Sequence, residues 1–415
     1  MSSNGNGSSY DVVVIGGGPG GSTAATLLAQ YGYRVLVIEK EEFPRFSIGE
    51  SLMPETYWTF KRLGILDKLR KSDYPRKYSV QFISASGKES LPFYFFHTNP
   101  HESSVTWQVI RSEFDKMMLD NAGESGAEIR IGSLVREVLF EGDRAVGVRV
   151  VADGGGEEEI RSRVVVDASG RNSLIAKRLN LQRPDPDLKK ASIFAHYENG
   201  LRDSGIDEGV TLIVNTPDNN GWFWFIPLSK NIVSVGVVSS PSYLFEGRVK
   251  NPERVLDEEI EACPKIKERL LEAKRISDTH VLSDFSYRSS ECAGEGWVLV
   301  GDAYGFLDPI YSSGVFLAVK SGEFAADAVH GAFQADDFSR ERLGSWKPVL
   351  DSGMEALRKL VFAFYNPEFS FGQFIKTHPQ YLKNLVDLLV GDVFKDEVHE
   401  IFTAMSEYCD LPEEW

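Results

Sequence analysis

The chain has 415 residues, of which 42% are hydrophobic and 26% charged, a composition typical of a folded protein with two or three structural units. The formal net charge of -16 argues against nucleic acid or an anionic membrane surface as a partner. The three cysteines lie far apart and form no CxxC pair, so we expect neither a disulfide framework nor a metal site. Residues 1–9 are polar, and no apolar run approaches the ~18 residues of a membrane span, so we expect a disordered tail and a cytoplasmic location.

The first pattern along the chain is a strand, a glycine-rich turn, a helix and a second strand. Residues 12–15 are β-branched, an Ala- and Leu-rich run follows the turn, and the apolar run 35–38 ends in an acid. Glycines in such a turn allow a tight bend, close approach of a diphosphate and close packing of helix on strand, while the acid accepts hydrogen bonds from a ribose. The pattern therefore predicts dinucleotide binding at Gly16, Gly18, Gly21, Ser22 and Glu39.

Further elements are predicted up to residue 190. We expect a helix over residues 55–71, and a hairpin over 78–100 that turns near Ser86 and Gly87. A helix over 111–122 would have Ser112 as its N-cap. Strand-like runs follow at 127–136, 145–151 and 160–166.

The second half of the chain changes character. Alternating runs between residues 191 and 240 predict the strands of a second sheet, and a helix is expected over 252–273. A buried strand ending near residue 301 precedes a predicted helix over 313–333. We therefore predict an α/β protein (α+β overall): a Rossmann-like domain at 10–190 and 285–335, with 75–110 on the substrate side, an inserted antiparallel-sheet substrate domain at 191–284, and a C-terminal helical region at 336–415.

Three separated motifs agree on the cofactor. They are the glycine-rich turn, Asp-Ala-Ser-Gly at 167–170 and Gly-Asp-Ala-x-Gly at 301–305, each after a predicted strand. Together they resemble the two-domain flavoprotein monooxygenase superfamily over most of residues 10–335, which implies FAD extended along the first domain. The resemblance implies further cofactor contacts at Arg45, Ser51, Arg111, Val135, Asp302 and Gly305. A second glycine-rich fingerprint is not evident, so either NAD(P)H docks transiently or a partner flavin reductase delivers reduced FAD (FADH2).

The sequence Trp222-x-Trp224-x-Ile226-Pro227 narrows the resemblance to the flavin-dependent halogenases. Alternate residues of a strand point to the same side, so both tryptophans can line one wall of a cavity. In the resembling enzymes this wall, or tunnel lining, keeps the substrate away from the flavin. Two core-facing tryptophans of a sheet are the alternative interpretation.

Lys77 stands where the resembling halogenases carry an essential lysine, a few residues before a run that ends in Phe82. The local match is to the phenol- and pyrrole-halogenating branch. It implies a catalytic ammonium that holds hypohalous acid, or an amine that is itself halogenated when burial deprotonates it. An exposed lysine beside Arg76 is the alternative.

A Ser-Gly turn before a predicted helix offers backbone N–H groups to an anion. The equivalent pair in the resembling halogenases binds chloride or bromide, so Ser313 and Gly314 are the expected halide site. A capping serine beside a glycine turn is the alternative, although a cap is itself an anion site. Tryptophan halogenases carry a glutamate two residues before this pair, where this chain has Tyr311, so an indole substrate is not expected.

The predicted function is that of a flavin-dependent halogenase. It would use FADH2, O2 and chloride or bromide to halogenate an electron-rich phenol- or pyrrole-like ring, free or tethered to a carrier protein, through hypohalous acid directed by Lys77. The alternatives are an FAD-dependent aromatic hydroxylase, a lipid reductase of the geranylgeranyl-reductase type, and a flavin-binding, carrier-docking subunit without turnover. The histidines His97, His101 and His196 lie in no motif and are expected to be structural.

Overall fold

The computed structural model describes residues 10–97, 99–152, 155–413 and 415. The strands are β1 (Tyr10–Ile15), β2 (Val35–Ile38), β3 (Arg76–Lys77), β4 (Ser79–Ile83), β5 (Phe93–Tyr94), β6 (Thr106–Trp107), β7 (Glu128–Arg130), β8 (Ser133–Glu141), β9 (Arg144–Ala152), β10 (Glu157–Asp167), β11 (Gln182–Pro184), β12 (Ala191–Glu198), β13 (Thr211–Asn215), β14 (Gly221–Pro227), β15 (Ile232–Ser239), β16 (Lys274–Arg275), β17 (His280–Ser283), β18 (Tyr287–Ser289), β19 (Ala293–Gly294), β20 (Trp297–Leu299) and β21 (Gly305–Phe306). The α-helices are α1 (Pro19–Gln30), α2 (Thr56–Leu63), α3 (Leu66–Arg70), α4 (Arg111–Glu124), α5 (Leu174–Arg178), α6 (Pro241–Phe245), α7 (Pro252–Ala262), α8 (Pro264–Arg269), α9 (Ser313–Ala335), α10 (Arg340–Leu343), α11 (Lys347–Tyr365), α12 (Phe371–Thr377), α13 (Leu382–Val390) and α14 (Glu400–Met405).

A mainly parallel sheet carries the opening motif. Strands β20, β10, β1, β2 and β7 are neighbours in that order and pair in parallel. The valines of β1 are fully buried, as expected for a central strand covered on both faces. Strands β8 and β9 extend the sheet beside β10 by antiparallel pairing. Helix α1 joins β1 to β2, so the predicted strand–turn–helix–strand unit is confirmed.

The second sheet has the order β16, β12, β15, β14, β13, β4 and β5, with β17 also on β12. Its pairs are antiparallel except β13 with β4. Strands β4 and β5 come from the first hundred residues, and their register, Ser79 with Tyr94 and Val80 with Phe93, confirms the hairpin predicted around Ser86 and Gly87. This part of the chain therefore lies on the second sheet.

Strand β14 separates two hydrophobic clusters. Trp222, Trp224 and Ile226 belong to the cluster that also contains the core of the parallel sheet. Phe223 and Phe225 belong to a second cluster, which includes residues of α7 and α8. The alternation follows the period of two of a strand, so the second sheet turns one face to the parallel sheet and the other to its own helices.

Three of the predicted helices differ from the structure. The helix expected over 55–71 is two helices, because Gly64 takes a left-handed conformation at φ 77° and ends α2. The helix expected over 252–273 is also two, since Pro264 starts a new helix after Cys263. Ser112 is not an N-cap: Ile110 occupies that position in α4 and makes no side-chain cap bond.

The C-terminal part of the chain is helical, from α10 to α14, and α11 ends at Tyr365, before the Asn-Pro pair. The predicted α/β class, with a Rossmann-like sheet, a second and mostly antiparallel sheet, and C-terminal helices, is confirmed. Within the described ranges, no helix is long and apolar enough to cross a membrane.

Candidate active site

A cavity of about 710 Å³ lies where the two sheets meet. Its lining includes the turn after β1, the end of β2, the turn after β10 and the turn after β20, so it opens at the carboxyl ends of the parallel strands. Ligands of open α/β sheets bind at this edge. The face of β14 that carries the tryptophans and the first turn of α9 complete the wall.

The three motif glycines occupy different environments. A Cβ on Gly16 would lie 2.5 Å from the carbonyl oxygen of Ala168, and a Cβ on Gly21 would lie 2.0 Å from the carbonyl oxygen of Gly16. These two glycines are therefore required by the packing of the chain itself. Gly18 lines the cavity, and the nearest protein atom to its Cβ would be a guanidinium nitrogen of Arg45 at 3.6 Å. The space beside Gly18 is thus free for a ligand that approaches the backbone closely.

Glu39 and Val135 lie together on the cavity wall. The buried Glu39 accepts a hydrogen bond from the backbone N–H of Gly17 at 2.8 Å, which holds its carboxylate beside the glycine-rich turn. A carboxylate has further acceptor sites, so Glu39 can still bind ribose hydroxyls. Ser22 is buried behind the turn and donates to the carbonyl of Gly17 at 3.0 Å.

Two arginines bring positive charge to the middle of the cavity. Arg111 makes a bidentate pair with Asp115, at 2.7 and 3.0 Å, and Arg45 approaches the same carboxylate at 3.2 Å. Both arginines line the cavity, and Arg111 also donates to the carbonyl of Ile48. The two guanidinium groups share the carboxylate of Asp115 in their direct ion pairs, so a bound anion can pair with both of them. This arrangement suits a diphosphate.

Asp302 follows β20 and faces the cavity. Burial raises its pKa to about 6, although Arg111 and Arg171 oppose the shift. Within the described ranges its carboxylate has no hydrogen-bond partner, which leaves an acceptor for the hydroxyls of a ligand. Gly305, by contrast, packs in β21, where a Cβ would lie 2.8 Å from the carbonyl oxygen of Tyr287.

The residues present fit FAD. The free space beside Gly18 allows part of FAD to approach the backbone closely. The two arginines can bind its diphosphate, and the carboxylate of Asp302 can accept hydrogen bonds from its chain of hydroxyls. Asp167 of the second motif supports the site indirectly, because it accepts from the backbone N–H groups of Ser169 at 3.0 Å and Ile175 at 2.8 Å. It therefore fixes the turn that packs against Gly16.

The tryptophans form one wall of the cavity, as predicted. Trp222 and Trp224 both line it with their ring centroids 6.1 Å apart, and Ile226 continues the same face. Each indole N–H is fixed: Trp224 donates to Ser234 at 3.1 Å and Trp222 to the hydroxyl of Tyr365 at 3.0 Å. Pro227 ends β14 outside the lining.

The predicted halide turn lies at the start of α9. Gly314 lines the cavity, and a Cβ there would lie 2.9 Å from the ring of Phe306. Ser313 is buried, whereas Ser312, in a left-handed conformation with φ 57°, faces the cavity. Asp308 supports the turn: it accepts from the N–H of Ile310 at 3.0 Å, and burial raises its pKa to about 7.

Lys77 is buried, so the alternative of an exposed lysine is wrong. Its Nζ donates to the carbonyl of Leu52 at 3.1 Å and lies 5.6 Å from the ring centroid of Phe95. Burial lowers the pKa of Lys77 to about 7. Lys77 is outside the cavity lining that the structure describes, behind the segment that contributes Ser51 to the wall.

Sequence reasoning missed a polar and aromatic group beside the tryptophan wall, on the neighbouring strands of the same sheet. His196 was expected to be structural, yet its Nε2 lies 2.5 Å from the carboxylate of the cavity residue Glu50. Burial alone would lower the pKa of His196, but the hydrogen bond and the charge of Glu50 raise it. Phe46 stacks on His280 with a centroid separation of 4.0 Å, and both line the cavity. Only the position of Glu50 next to Ser51 hinted at this group. His97 and His101 pack among aromatic rings away from the lining.

Comparison with known proteins assigns the family. The FAD binding domain family matches residues 9–323. A 1H-pyrrole-2-carbonyl-[peptidyl-carrier protein] chlorinase of Pseudomonas fluorescens is 32% identical, over 96% of this chain and 92% of its own length. A brominase for the same type of carrier-bound group, from Pseudoalteromonas luteoviolacea, is 35% identical, over 94% of this chain and 93% of its own length. The chain belongs to the flavin-dependent halogenases.

Solved structures agree with this assignment. The halogenase superposes on the flavin-dependent brominase Bmp2 with a TM-score of 0.86 and 32% identity, covering 97% of this chain and 99% of Bmp2. The myxobacterial chondrochloren halogenase CndH gives a TM-score of 0.81 at 32% identity, covering 94% of this chain and 92% of CndH. This halogenase is therefore an FAD-dependent oxidoreductase that uses a halide. The predicted halogenase is confirmed over the hydroxylase, lipid-reductase and non-enzyme alternatives.

Proposed function

We propose that this halogenase chlorinates or brominates a pyrrole-2-carbonyl group that is tethered to a peptidyl-carrier protein. The support is the similarity, along nearly the whole chain, to two enzymes named for that substrate. Tyr311, in the place where tryptophan halogenases carry a glutamate, supports a ring other than indole. A partner flavin reductase supplies FADH2. The three unpaired, buried cysteines fit a reducing, cytoplasmic compartment.

Each part of the cavity has a role in this proposal. Arg45 and Arg111 bind the diphosphate of FAD, Glu39 binds a ribose, and Asp302 accepts from the ribityl hydroxyls. The N–H groups at Ser313 and Gly314 bind the halide. Bound, reduced FAD together with O2 supplies the oxidising power that converts halide to hypohalous acid. The wall of Trp222 and Trp224 keeps the substrate ring away from the flavin.

Lys77 is the catalytic residue of the proposal. A ring carbon attacks the halogen of hypohalous acid, the halogen–oxygen bond breaks and the oxygen leaves as water. The ring then loses a proton to water, and Lys77 takes up a proton from water to restore its ammonium. The ammonium of Lys77 donates a hydrogen bond, and then a proton, to the departing oxygen. The observation that carries this role is the burial of the Lys77 ammonium against the carbonyl of Leu52, next to the cavity residue Ser51. This burial lowers the pKa of Lys77 to about 7, and an acid with a pKa near the working pH transfers protons efficiently.

The Lys77→Ala variant tests the proposal. We expect halogenated product to fall by about 10²-fold or more, the usual contribution of a positioned acid or base. FAD binding should persist, because Lys77 lies outside the cavity lining, and flavin fluorescence measures it. Oxygen consumption in the presence of a flavin reductase, NADH and bromide should persist for the same reason. Retention of the halogen isotope pattern in the product mass would refute the role of Lys77.

The substrate is tested by offering three acceptors to the wild-type enzyme. These are a pyrrole-2-carbonyl group on a carrier protein, free pyrrole-2-carboxylate and a simple phenol. The proposal expects product on the carrier-bound ring in preference to both free compounds. Preferential halogenation of the phenol would overturn the substrate assignment and leave that of Lys77 intact.

A further inference from the structure

A buried row of hydrogen bonds starts at the cavity wall and leads away from the flavin side. Ser51 and Thr211 line the cavity, and their hydroxyl oxygens lie 3.1 Å apart. Behind them the amide nitrogen of Gln108 donates to the hydroxyl of Thr211 and to the carbonyl of Gly209, both at 2.8 Å. Gln108 is completely buried.

The carbonyl of Gly209 determines how the Gln108 amide is oriented. A backbone carbonyl can only accept, so the NH2 group of Gln108 must face Gly209, and its Oε1 must face the other way. That oxygen is buried and has no hydrogen-bond partner within the described residues. An unpaired buried acceptor is costly and calls for an occupant that can donate.

The same orientation sets the direction of one bond of the row, in which Thr211 accepts from Gln108. The hydroxyl of Thr211 can then donate its own proton to Ser51, and in that arrangement the proton of Ser51 is left for the cavity. So arranged, the row presents a donor at the cavity end and an acceptor at the Gln108 end.

The Gln108 end lies on the side of Lys77. Strands β3 and β6 pair Lys77 with Thr106, and Gln108 comes two residues after Thr106 in backbone that remains extended and bridges Ser51. Residues opposite each other, and residues two apart, share one face of a sheet. The side chains of the paired residues Arg76 and Trp107 share the other face, where the guanidinium of Arg76 lies 5.2 Å from the ring centroid of Trp107. Lys77, Thr106 and Gln108 thus share one buried face.

We propose that Ser51, Thr211 and Gln108 are positioning residues that guide hypohalous acid from the cavity to Lys77. Hypohalous acid accepts through its oxygen from Ser51 at the cavity end, and its O–H donates to Oε1 of Gln108 at the other. This inference rests on the proposed function, because it needs hypohalous acid to be made in the cavity and used at Lys77. It adds two residues, Thr211 and Gln108, that no motif indicates.

The test measures where the oxidised halide goes. Thr211→Val and Gln108→Met keep the side-chain size and remove the polar group. Oxygen consumption, halogenated product and hypohalous acid released to a scavenging thiol are measured together. In both variants we expect the ratio of product to oxygen consumed to fall about fivefold, the effect of losing one hydrogen bond, with a matching rise in scavenged hypohalous acid. Thr211→Ser, which keeps the hydroxyl, should retain the wild-type ratio, and flavin fluorescence should show FAD bound in all three.

The outcomes separate the row from the function on which it rests. If Lys77→Ala loses product but Thr211→Val and Gln108→Met keep the wild-type ratio, the row is refuted and the role of Lys77 stands. Loss of oxygen consumption or of FAD binding at an unchanged ratio would show a structural role only, and would also refute the row. If Lys77→Ala still forms product, the proposed function itself fails.

Discussion

The environment of Lys77 explains both its lowered pKa and the loss of folding stability that this residue causes. The ammonium is buried with one carbonyl and one aromatic ring as neighbours, and desolvation is the cause that lowers its pKa from 10.5 to about 7. Because no carboxylate of the described residues contributes to the shift, the buried charge is not compensated within that part of the chain. A basic group whose pKa is lower in the folded than in the unfolded protein destabilises the fold at every pH below its unfolded pKa. Folding then requires either that the group lose its proton or that its charge be buried.

Replacement of Lys77 by methionine should therefore stabilise the protein while abolishing halogenation. Below pH 7 the cost of the buried ammonium is fully present, and the shift from 10.5 to about 7 corresponds to on the order of 5 kcal/mol. Between pH 7 and 10.5 the folded protein has lost the Lys77 proton while the unfolded chain still binds it, so the wild-type protein gains stability as the pH rises. The advantage of Lys77→Met should therefore shrink over this range and nearly vanish near pH 10.5. Urea unfolding at pH 6, 8 and 10 measures the trend.

The exposed Lys71 provides a matched control. Lys71→Met should change the free energy of unfolding by less than about 0.5 kcal/mol at every pH, as surface substitutions usually do. A Lys77→Met variant that is less stable than the wild type at pH 6 would contradict the account of an uncompensated buried charge.

At the scale of elements, the first turn of α1 combines two kinds of glycine. Gly18 is the N-cap residue, in an ordinary extended conformation with φ -72° and ψ -178°, and its side faces the cavity. Gly21 packs one turn later against the backbone of Gly16. Gly18 therefore leaves room for the ligand, and Gly21 allows the close contact between helix and strand.

Alanine at these two positions should separate binding from folding. Gly18→Ala should leave the free energy of unfolding of the apoprotein within about 1 kcal/mol, because any residue adopts its conformation, and should weaken FAD binding at least tenfold. Gly21→Ala places a methyl group on backbone and should cost about 3 kcal/mol or more. Flavin fluorescence titration and urea unfolding make the two measurements. Unchanged FAD affinity in a folded Gly18→Ala protein would argue against the cofactor cradle.

At the scale of the whole molecule, buried polar contacts tie the C-terminal helices to the rest of the chain. Arg358 of α11 bonds to Asp185 at 2.7 Å, and the side chains of both are almost completely buried. Tyr365, at the end of the same helix, accepts from Trp222 and donates to Asp308 at 3.0 Å. Helix α11 thus braces both the tryptophan wall and the halide turn. We propose that 10–190 and 285–335 form the FAD-binding unit, that 191–284 form the substrate unit, and that 336–415 act as this brace.

The pair of Arg358 and Asp185 gives a test of the brace. Arg358→Leu should destabilise the protein by about 3 kcal/mol, because it leaves Asp185 buried without a counter-charge. The double variant Arg358→Leu with Asp185→Leu also removes the charge of Asp185 and should recover the part of the loss that comes from this pair, whereas Glu355, which Arg358 contacts at 3.2 Å, loses its partner in both variants. Equilibrium unfolding measures the coupling. If the two changes are simply additive, the contact does not join the two parts of the molecule.

The sequence by itself determined what depends on neighbours along the chain. The glycine-rich turn, its flanking strands and the common face of Trp222 and Trp224 follow from local conformation and from the period of two, so motif spacing predicted them. The hairpin of β4 and β5 was predictable for the same reason. Gly64 ends one helix and Pro264 begins another, but the apolar periodicity continues past both residues and predicts one long helix in each place.

Only the tertiary structure decided what depends on residues distant in sequence. The ammonium of Lys77 is buried in contact with Leu52 and Phe95, and Asp115 is shared by two arginines that lie 66 residues apart. Gln108 reaches Thr211 across 103 positions, and Tyr365 reaches Trp222 across 143. Such contacts set burial, charge and hydrogen-bond direction, and no spacing along the chain reports them, because only chain folding brings these groups into contact.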